Sequence, residues 1–322
     1  MDGAQARDVL ETMWRIRHFE ERVGRLKRAD EVHGLIHLSA GQEGVAAGVC
    51  RRLRDGDAVY SGHRAHGHAI AQGAPLERVM AELMGREDGL CRGLGGSMHL
   101  VDVEHGLMGA TGVVGGNIPI ALGSALAALL RGDDAVAVVF FGDGAVQAGH
   151  FNETINLAAL WGAPLILVCE NNGFAEFTPR SAHTVVERVS DVVAPYGLTR
   201  ETVDGNDVLA VWDAFGRFLE AARRGEGPLL LECLTHRLRG HYEGDPAQYR
   251  EAIAAEEWQR VDPIPRFQRH AVEAGWLTEA AAATIAPAAE AEVEAAVELA
   301  RASAFPGAEL IEELAYTEAI GA

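Results

Sequence analysis

Ala135-Val136-Ala137-Val138-Val139-Phe140-Phe141-Gly142-Asp143-Gly144 is the stretch on which the fold turns. An unbroken apolar run of this length is a strand buried on both faces, and Gly142-Asp143-Gly144 closes it with turn residues. Strands buried on both faces belong to parallel sheets covered by helices. The pattern then repeats outward. His150 to Trp161 has helical spacing, and Leu165 to Cys169 is a second apolar run, ended by Glu170-Asn171-Asn172-Gly173. Further strands are expected at Thr199 to Val203 and Leu229 to Leu234, with a helix from Val208 to Arg224 between them. Val59-Tyr60 is a short strand candidate upstream. Alternating strands and helices predict an α/β fold: a parallel sheet flanked by helices.

The ends read as helical extensions. Leu10, Met13, Ile16, Phe19, Val23 and Leu26 recur every three or four positions, which predicts an amphipathic helix over residues 6–28. Ser39 and Gln42 have capping-box spacing ahead of a small-faced helix. Pro75 to Met84 reads as a helix, and Ile118 to Leu130 as one apolar nearly all round and hence buried. Residues 91–117 are glycine-rich and irregular, and such stretches inside compact domains are usually functional. The Ala- and Glu-rich tail predicts two or three helices broken at Pro263, Pro265, Pro287 and Pro306. No repeat or linker stands out. The expectation is one domain over residues 1–322, with a core of about 30–245 and an extension of about 246–322.

The formal net charge of −19 argues against nucleic acid and anionic membranes as partners. Cys50, Cys91, Cys169 and Cys233 are scattered, with no C-x-x-C pair, which suits a reducing cytoplasm. Met1 to Gln5 shows no basic-then-apolar leader, and the apolar runs are too short to span a bilayer.

Open parallel sheets bind ligands outside the carboxyl ends of their strands. Asp143 and Asn172 sit at two such ends. If the strands are neighbours, a carboxylate and an amide oxygen converge, and with ligand phosphates nearby that is a magnesium environment. Alone, G-D-G is usually only a turn. The paired asparagine is what gives it chemical meaning. Gly142 and Gly144 would let the backbone turn and approach closely. His63, His66 and His68 hint at zinc, but no cysteine or carboxylate completes the set.

Gly142-Asp143-Gly144-Ala145 followed by Glu170-Asn171-Asn172 resembles the cofactor motif of thiamine-diphosphate enzymes. Gly41-Gln42-Glu43, Arg64-Ala65-His66-Gly67, Gly95-Gly96-Ser97-Met98-His99, Gly112-Val113-Val114-Gly115, Asn156 to Trp161, Val203-Asp204-Gly205 and Gly240-His241 extend the likeness. In that order they are similar to the alpha subunits of two-subunit pyruvate, branched-chain 2-oxo acid and acetoin dehydrogenases, over about residues 8–266. The resemblance implies a thiamine-diphosphate-binding fold, with thiamine diphosphate and Mg2+ as cofactors. It implies Asp143, Asn172 and the Phe174 carbonyl as metal ligands. It places Gly144 and Ala145 on the diphosphate, with Arg64 and His63 beside it. Gly112 and Val114 would meet the aminopyrimidine, and His241 and His37 would act at the diphosphate and the reacting carbonyl.

What the resemblance implies about activity is cleavage of a carbon–carbon bond next to a carbonyl, with the acyl group passing to a lipoyl carrier. The glutamate that activates the cofactor lies on the beta subunit of such enzymes. A beta partner, an α2β2 assembly and a lipoyl acyltransferase are therefore expected. His63 and Tyr242-Glu243-Gly244-Asp245 look more like the acetoin type, while Asp245-Pro246 keeps a trace of the pyruvate type. An acyloin-forming carboligase without a lipoyl partner is the alternative. A non-catalytic nucleotide-binding module is disfavoured, because no G-x-G-x-x-G opens the fold.

Overall fold

The computed structural model describes residues 1–310. Its helices are α1 (Gly3–Arg28), α2 (Glu43–Cys50), α3 (His66–Gln72), α4 (Leu76–Leu83), α5 (Asn117–Arg131), α6 (Gly149–Trp161), α7 (Arg180–His183), α8 (Val189–Val192), α9 (Val208–Arg223), α10 (Ala255–Val261), α11 (Pro263–Glu273) and α12 (Glu279–Ala302). The strands are β1 (Ala58–Ser61), β2 (Leu107–Ala110), β3 (Ala137–Gly142), β4 (Leu165–Asn171), the two-residue β5 (Phe174–Ala175) and β6 (Thr178–Pro179), β7 (Thr199–Asp204) and β8 (Leu229–Leu234).

One parallel sheet runs in the order β2-β1-β3-β4-β8-β7. Its period-two pattern separates two cores. Val138, Phe140, Ile166, Val168, Leu229 and Leu231 face one side, against α1, α3, α4, α9 and α12. Val139, Phe141, Leu165, Leu167 and Leu230 face the other, against α5 and α6. Each fully buried leucine or valine contributes about 1.5–3 kcal/mol of transfer free energy. The all-apolar runs are therefore what fixes β3, β4 and β8 in the centre.

β3 and β4 pair with Gly142 opposite Glu170. Asp143 and Asn172 thus leave neighbouring strands at the same edge, which meets the condition on which the reading of those two residues rested. Glu232 sets that edge. Its buried carboxylate accepts from Asn171 Nδ2 (2.7 Å), Val189 N (3.0 Å), Ser190 N (3.1 Å) and Thr202 Oγ1 (3.0 Å). The Asn171 side chain also receives Gly173 N–H at 3.0 Å, so the first asparagine of the pair bends the chain for the second.

Several expectations need correction. Ser39 caps no helix: its N–H and hydroxyl both donate to buried Glu20, and Gln42 at the α2 start makes no side-chain cap. The 91–117 stretch holds a strand, β2, too short and glycine-interrupted to show a period. α5 is not buried all round, since Ile120 and Leu130 lie 58% and 78% exposed. Pro263 opens α11 and Pro287 sits on the exposed side of α12 without ending it. The C-terminal extension returns to the amino end. α12 packs on α1 and α4, and Arg17 joins Glu43 to Asp262 in a buried ion cluster. Residues 311–322 of the expected extension lie outside the described residues. Among the described residues no helix is long and apolar enough to cross a membrane.

Candidate active site

A cavity of about 470 Å³ opens at the carboxyl edge of β1, β3 and β4. His37, His63, Arg64, Gly112, Val114, Gly144, Ala145, Asn172, Phe174 and His241 all line it. Asp143 lies just behind, between the lining residues Gly142 and Gly144. A second cavity of equal volume opens at the amino edge, beside Arg54, Asp57 and Arg131, and holds none of the sequence-derived site residues.

Asp143 starts a 3-10 turn, Asp143–Gln147, and is only 1% exposed. Neither of its carboxylate oxygens has a hydrogen-bond partner among the described residues, and neither does Asn172 Oδ1. The other end of the amide is engaged, Nδ2 donating to Gln42 Oε1 at 3.3 Å, so Oδ1 is the atom left free. Burial raises the Asp143 carboxyl above the usual carboxylate range. An uncompensated buried carboxylate costs several kcal/mol. A set of hard, unpaired oxygens at one strand edge suits a small divalent cation, so these residues fit the metal that the resemblance implies. Phe174 adds a third oxygen. Arg180 N–H bonds Gly173 O in the β5–β6 hairpin, which makes Phe174 and Pro179 a non-hydrogen-bonded pair and leaves the Phe174 carbonyl outside the ladder.

Gly144 is required by space: a Cβ there would meet Ala175 Cβ at 2.7 Å. Gly142 is not required by the chain itself. Its φ of −88° is open to any residue and nothing lies within 4 Å of an added Cβ. The reading that both glycines serve close approach therefore holds within the chain only for Gly144.

Three imidazoles, His37, His63 and His241, gather at the mouth with ring centroids 4.6–5.4 Å apart. Burial, then the Arg64 charge, lowers their pKa values to about 3, 2 and 4 respectively. All three are neutral at neutral pH. Arg237 Nη1 donates to His241 Nδ1 at 2.9 Å, which leaves the ring proton of His241 on Nε2. That ring is thus set to donate and not to bind a cation through Nε2. His66 points elsewhere, bonded to Glu20 and Ser97, and His68 lines the cavity with its Nδ1 engaged by Ser61. The zinc trio that the sequence reading disfavoured for the histidine-rich loop does not form.

Arg64 and Arg237 bring two buried positive charges to the cavity. Arg64 spends two donors on Leu38 O and His241 O, holding both histidine loops, and burial lowers its pKa only to about 10. Both cations suit a polyanion. Val114 is half-exposed and presents apolar surface at the cavity rim.

Sequence reading missed Arg237, Gln42, Glu170 and His68 as cavity lining, and His183 beside Asp143. Arg237 follows the β8 end, and the strand-end rule could have found it. His183 lies on the one-turn helix α7 and carries no periodic signal.

Comparison with known proteins gives the family. The family described as "Dehydrogenase E1 component" matches residues 11–309. The alpha subunit of acetoin:2,6-dichlorophenolindophenol oxidoreductase from Bacillus subtilis (strain 168) is 44% identical over 263 residues, 81% of this chain and 79% of its own. The protein of the same name from Cupriavidus necator is 42% identical over 302 residues, 94% of this chain and 91% of its own. The pyruvate dehydrogenase E1 component subunit alpha of Rhizobium meliloti (strain 1021) is 41% identical over 265 residues, 82% of this chain and 76% of its own. A match across nearly the whole chain, over a sheet of this topology, means that the chain belongs to the dehydrogenase E1 component family.

Proposed function

We propose that this chain, as the alpha subunit of a thiamine-diphosphate-dependent oxidoreductase, acts on acetoin and hands the acetyl group to a lipoyl acyltransferase. One observation carries the site assignment: the unpaired buried oxygens of Asp143 and Asn172 leave adjacent strand ends at the edge of a cationic cavity. Asp143, Asn172 and the Phe174 carbonyl would hold Mg2+. Arg64 and Arg237 would balance the diphosphate charge, and Gly144 and Ala145 would let the backbone lie against it. The chemistry supplied by bound thiamine diphosphate is that of a carbon nucleophile and electron sink next to a carbonyl.

The chain's own contribution is positional and protonic. His241 keeps its proton on Nε2, because Arg237 occupies Nδ1, and so offers a donor to an oxygen in the cavity. Asp245 accepts from His241 N–H at 2.6 Å, Ala247 N–H at 2.8 Å and Tyr249 hydroxyl at 2.7 Å, which fixes the loop that carries the ring. Phe177 and Tyr242 pack edge-on beside the ring, and Tyr249 packs against Phe177. His37, neutral and with Nδ1 unpartnered among the described residues, is the other candidate for proton transfer.

A beta subunit completes the enzyme, as the names of the relatives indicate for their own assemblies. An α2β2 arrangement fits the exposed apolar faces of α5 and α6, where Ile120, Leu130, Leu157, Leu160 and Trp161 face outward. Acetoin is favoured over pyruvate by His63 and the Tyr242 to Asp245 pattern, and by the names of two near relatives. The test is co-expression with the adjacent beta-like gene, followed by dye reduction with acetoin, pyruvate and branched-chain 2-oxo acids. Acetoin should show the highest kcat/KM. Faster turnover of a 2-oxo acid, or carbon–carbon ligation with no electron acceptor consumed, would defeat the acetoin reading.

A further inference from the structure

Two acidic residues line the cavity, Glu170 and Glu176. Glu170 faces His68, with Oε1 3.4 Å from Nε2. Glu176 is exposed, and its carboxylate has no hydrogen-bond or ion-pair partner among the described residues. Its backbone is unusual as well. Glu176 and Phe177 form the two-residue loop of the β5–β6 hairpin, and Glu176 sits at φ +54°. The first loop position of such a hairpin favours glycine, because a side chain there crowds its own backbone. A long charged residue nevertheless occupies it.

The hairpin tip is held against the cavity mouth. Arg237 Nη2 donates to Glu176 O at 3.1 Å. Phe177 packs edge-on against His241, with ring centroids 6.1 Å apart, and lies 5.1 Å from Tyr249. The residue that carries the charge is therefore fixed beside the His241 loop. The cations lining the cavity are already engaged. Arg64 directs its two terminal nitrogens to Leu38 O and His241 O, and Arg237 directs its two to His241 Nδ1, Glu176 O and Tyr249 Oη. His37, His63 and His241 are neutral at neutral pH.

We propose that the Glu176 carboxylate selects for uncharged carbonyl substrates, by repelling the carboxylate of a 2-oxo acid at the cavity rim. The inference rests on the acetoin reading given above and names a residue that enforces it. Acetoin carries no charge, whereas pyruvate and the branched-chain 2-oxo acids are anions at neutral pH. An anion that enters a site whose arginines are engaged meets an unpaired like charge, which lowers both its local concentration and its affinity. A neutral hydroxyketone meets no such barrier.

The test uses the enzyme assembled with its beta subunit, with dye reduction followed for acetoin and for pyruvate. Pyruvate is read through kcat/KM, or through its inhibition constant against acetoin where turnover is too slow to follow. In Glu176→Gln pyruvate should gain about five- to tenfold relative to acetoin, and more in Glu176→Lys. Raising the ionic strength from about 0.01 M to about 0.15 M shortens the Debye length from about 30 Å to about 8 Å. That should favour pyruvate in wild-type protein and do so less in Glu176→Gln, a difference that a purely structural role would not produce. An unchanged pyruvate-to-acetoin ratio in both variants, or an equal salt response in wild type and Glu176→Gln, overturns the proposal. Wild-type protein that prefers pyruvate, with a ratio that still rises in both variants, overturns the acetoin reading and leaves the role of Glu176 standing.

Discussion

Asp143 is a charge placed where a protein alone gives it no counterpart. Asp143→Asn should therefore stabilise the cofactor-free protein by about 1–3 kcal/mol, since the uncompensated buried charge is removed while the side-chain shape is kept. Thermal unfolding without cofactor measures this, and a loss of stability would contradict it. Arg64→Ala removes two anchors, on Leu38 O and His241 O, together with a cationic lining group. Cofactor affinity should fall by about 1.5–3 kcal/mol through lost charged hydrogen bonds; a change confined to turnover would refute the role. The three neutral histidines bear on pH. Their native values of about 3, 2 and 4 lie below the ordinary 6.5, so across that interval the unfolded chain binds more protons than the native one. Their contribution to stability is complete above about pH 6.5 and is lost progressively as pH falls through about 4, 3 and 2. Unfolding measured across that window should show the decline, and His63→Gln should lessen it. At this scale the placement of Asp143 and Asn172 at neighbouring strand ends was legible, because a strand end is marked in sequence by where an apolar run stops. Arg237 and His183 were not singled out, because their places depend on loops that return to the strand edge.

Among elements, the glycine-rich loop depends on one buried carboxylate. Glu82 on α4 accepts N–H groups from Cys91 (2.7 Å), Gly93 (2.9 Å), Gly95 (2.7 Å) and Gly96 (2.9 Å). Ser97 then fastens the loop to His66, and Met98 lines the cavity. Glu82→Gln halves the acceptor capacity and should cost about 2–3 kcal/mol, with weaker cofactor binding in the same protein. Unchanged thermal stability would show that the loop holds itself. The central strands were readable from composition because burial on both faces leaves no polar position. β2 was hidden because four residues with a glycine carry no period. The Ser39 capping box failed for a tertiary reason: Glu20 reaches across from α1 and takes both of its donors.

At the scale of the molecule, the amino and carboxyl extensions close on each other through α1 and α12, while α5 and α6 turn an apolar face outward. The Ile118 to Leu130 pattern read as buried all round was half right, because sequence shows that a face is apolar and not which chain covers it. Leu160→Asp, at a site 75% exposed, should leave the subunit folded and prevent assembly with the beta subunit. Light scattering on the co-purified chains would show separated subunits, and an intact complex would contradict that interface. Calorimetric titration of thiamine diphosphate into the assembled enzyme, with and without a divalent cation, addresses the site at the centre of the fold. Wild-type protein should bind only when the cation is present, and Asp143→Asn should not bind in either case. Cation-independent binding, or equal affinity in the two proteins, would contradict the account.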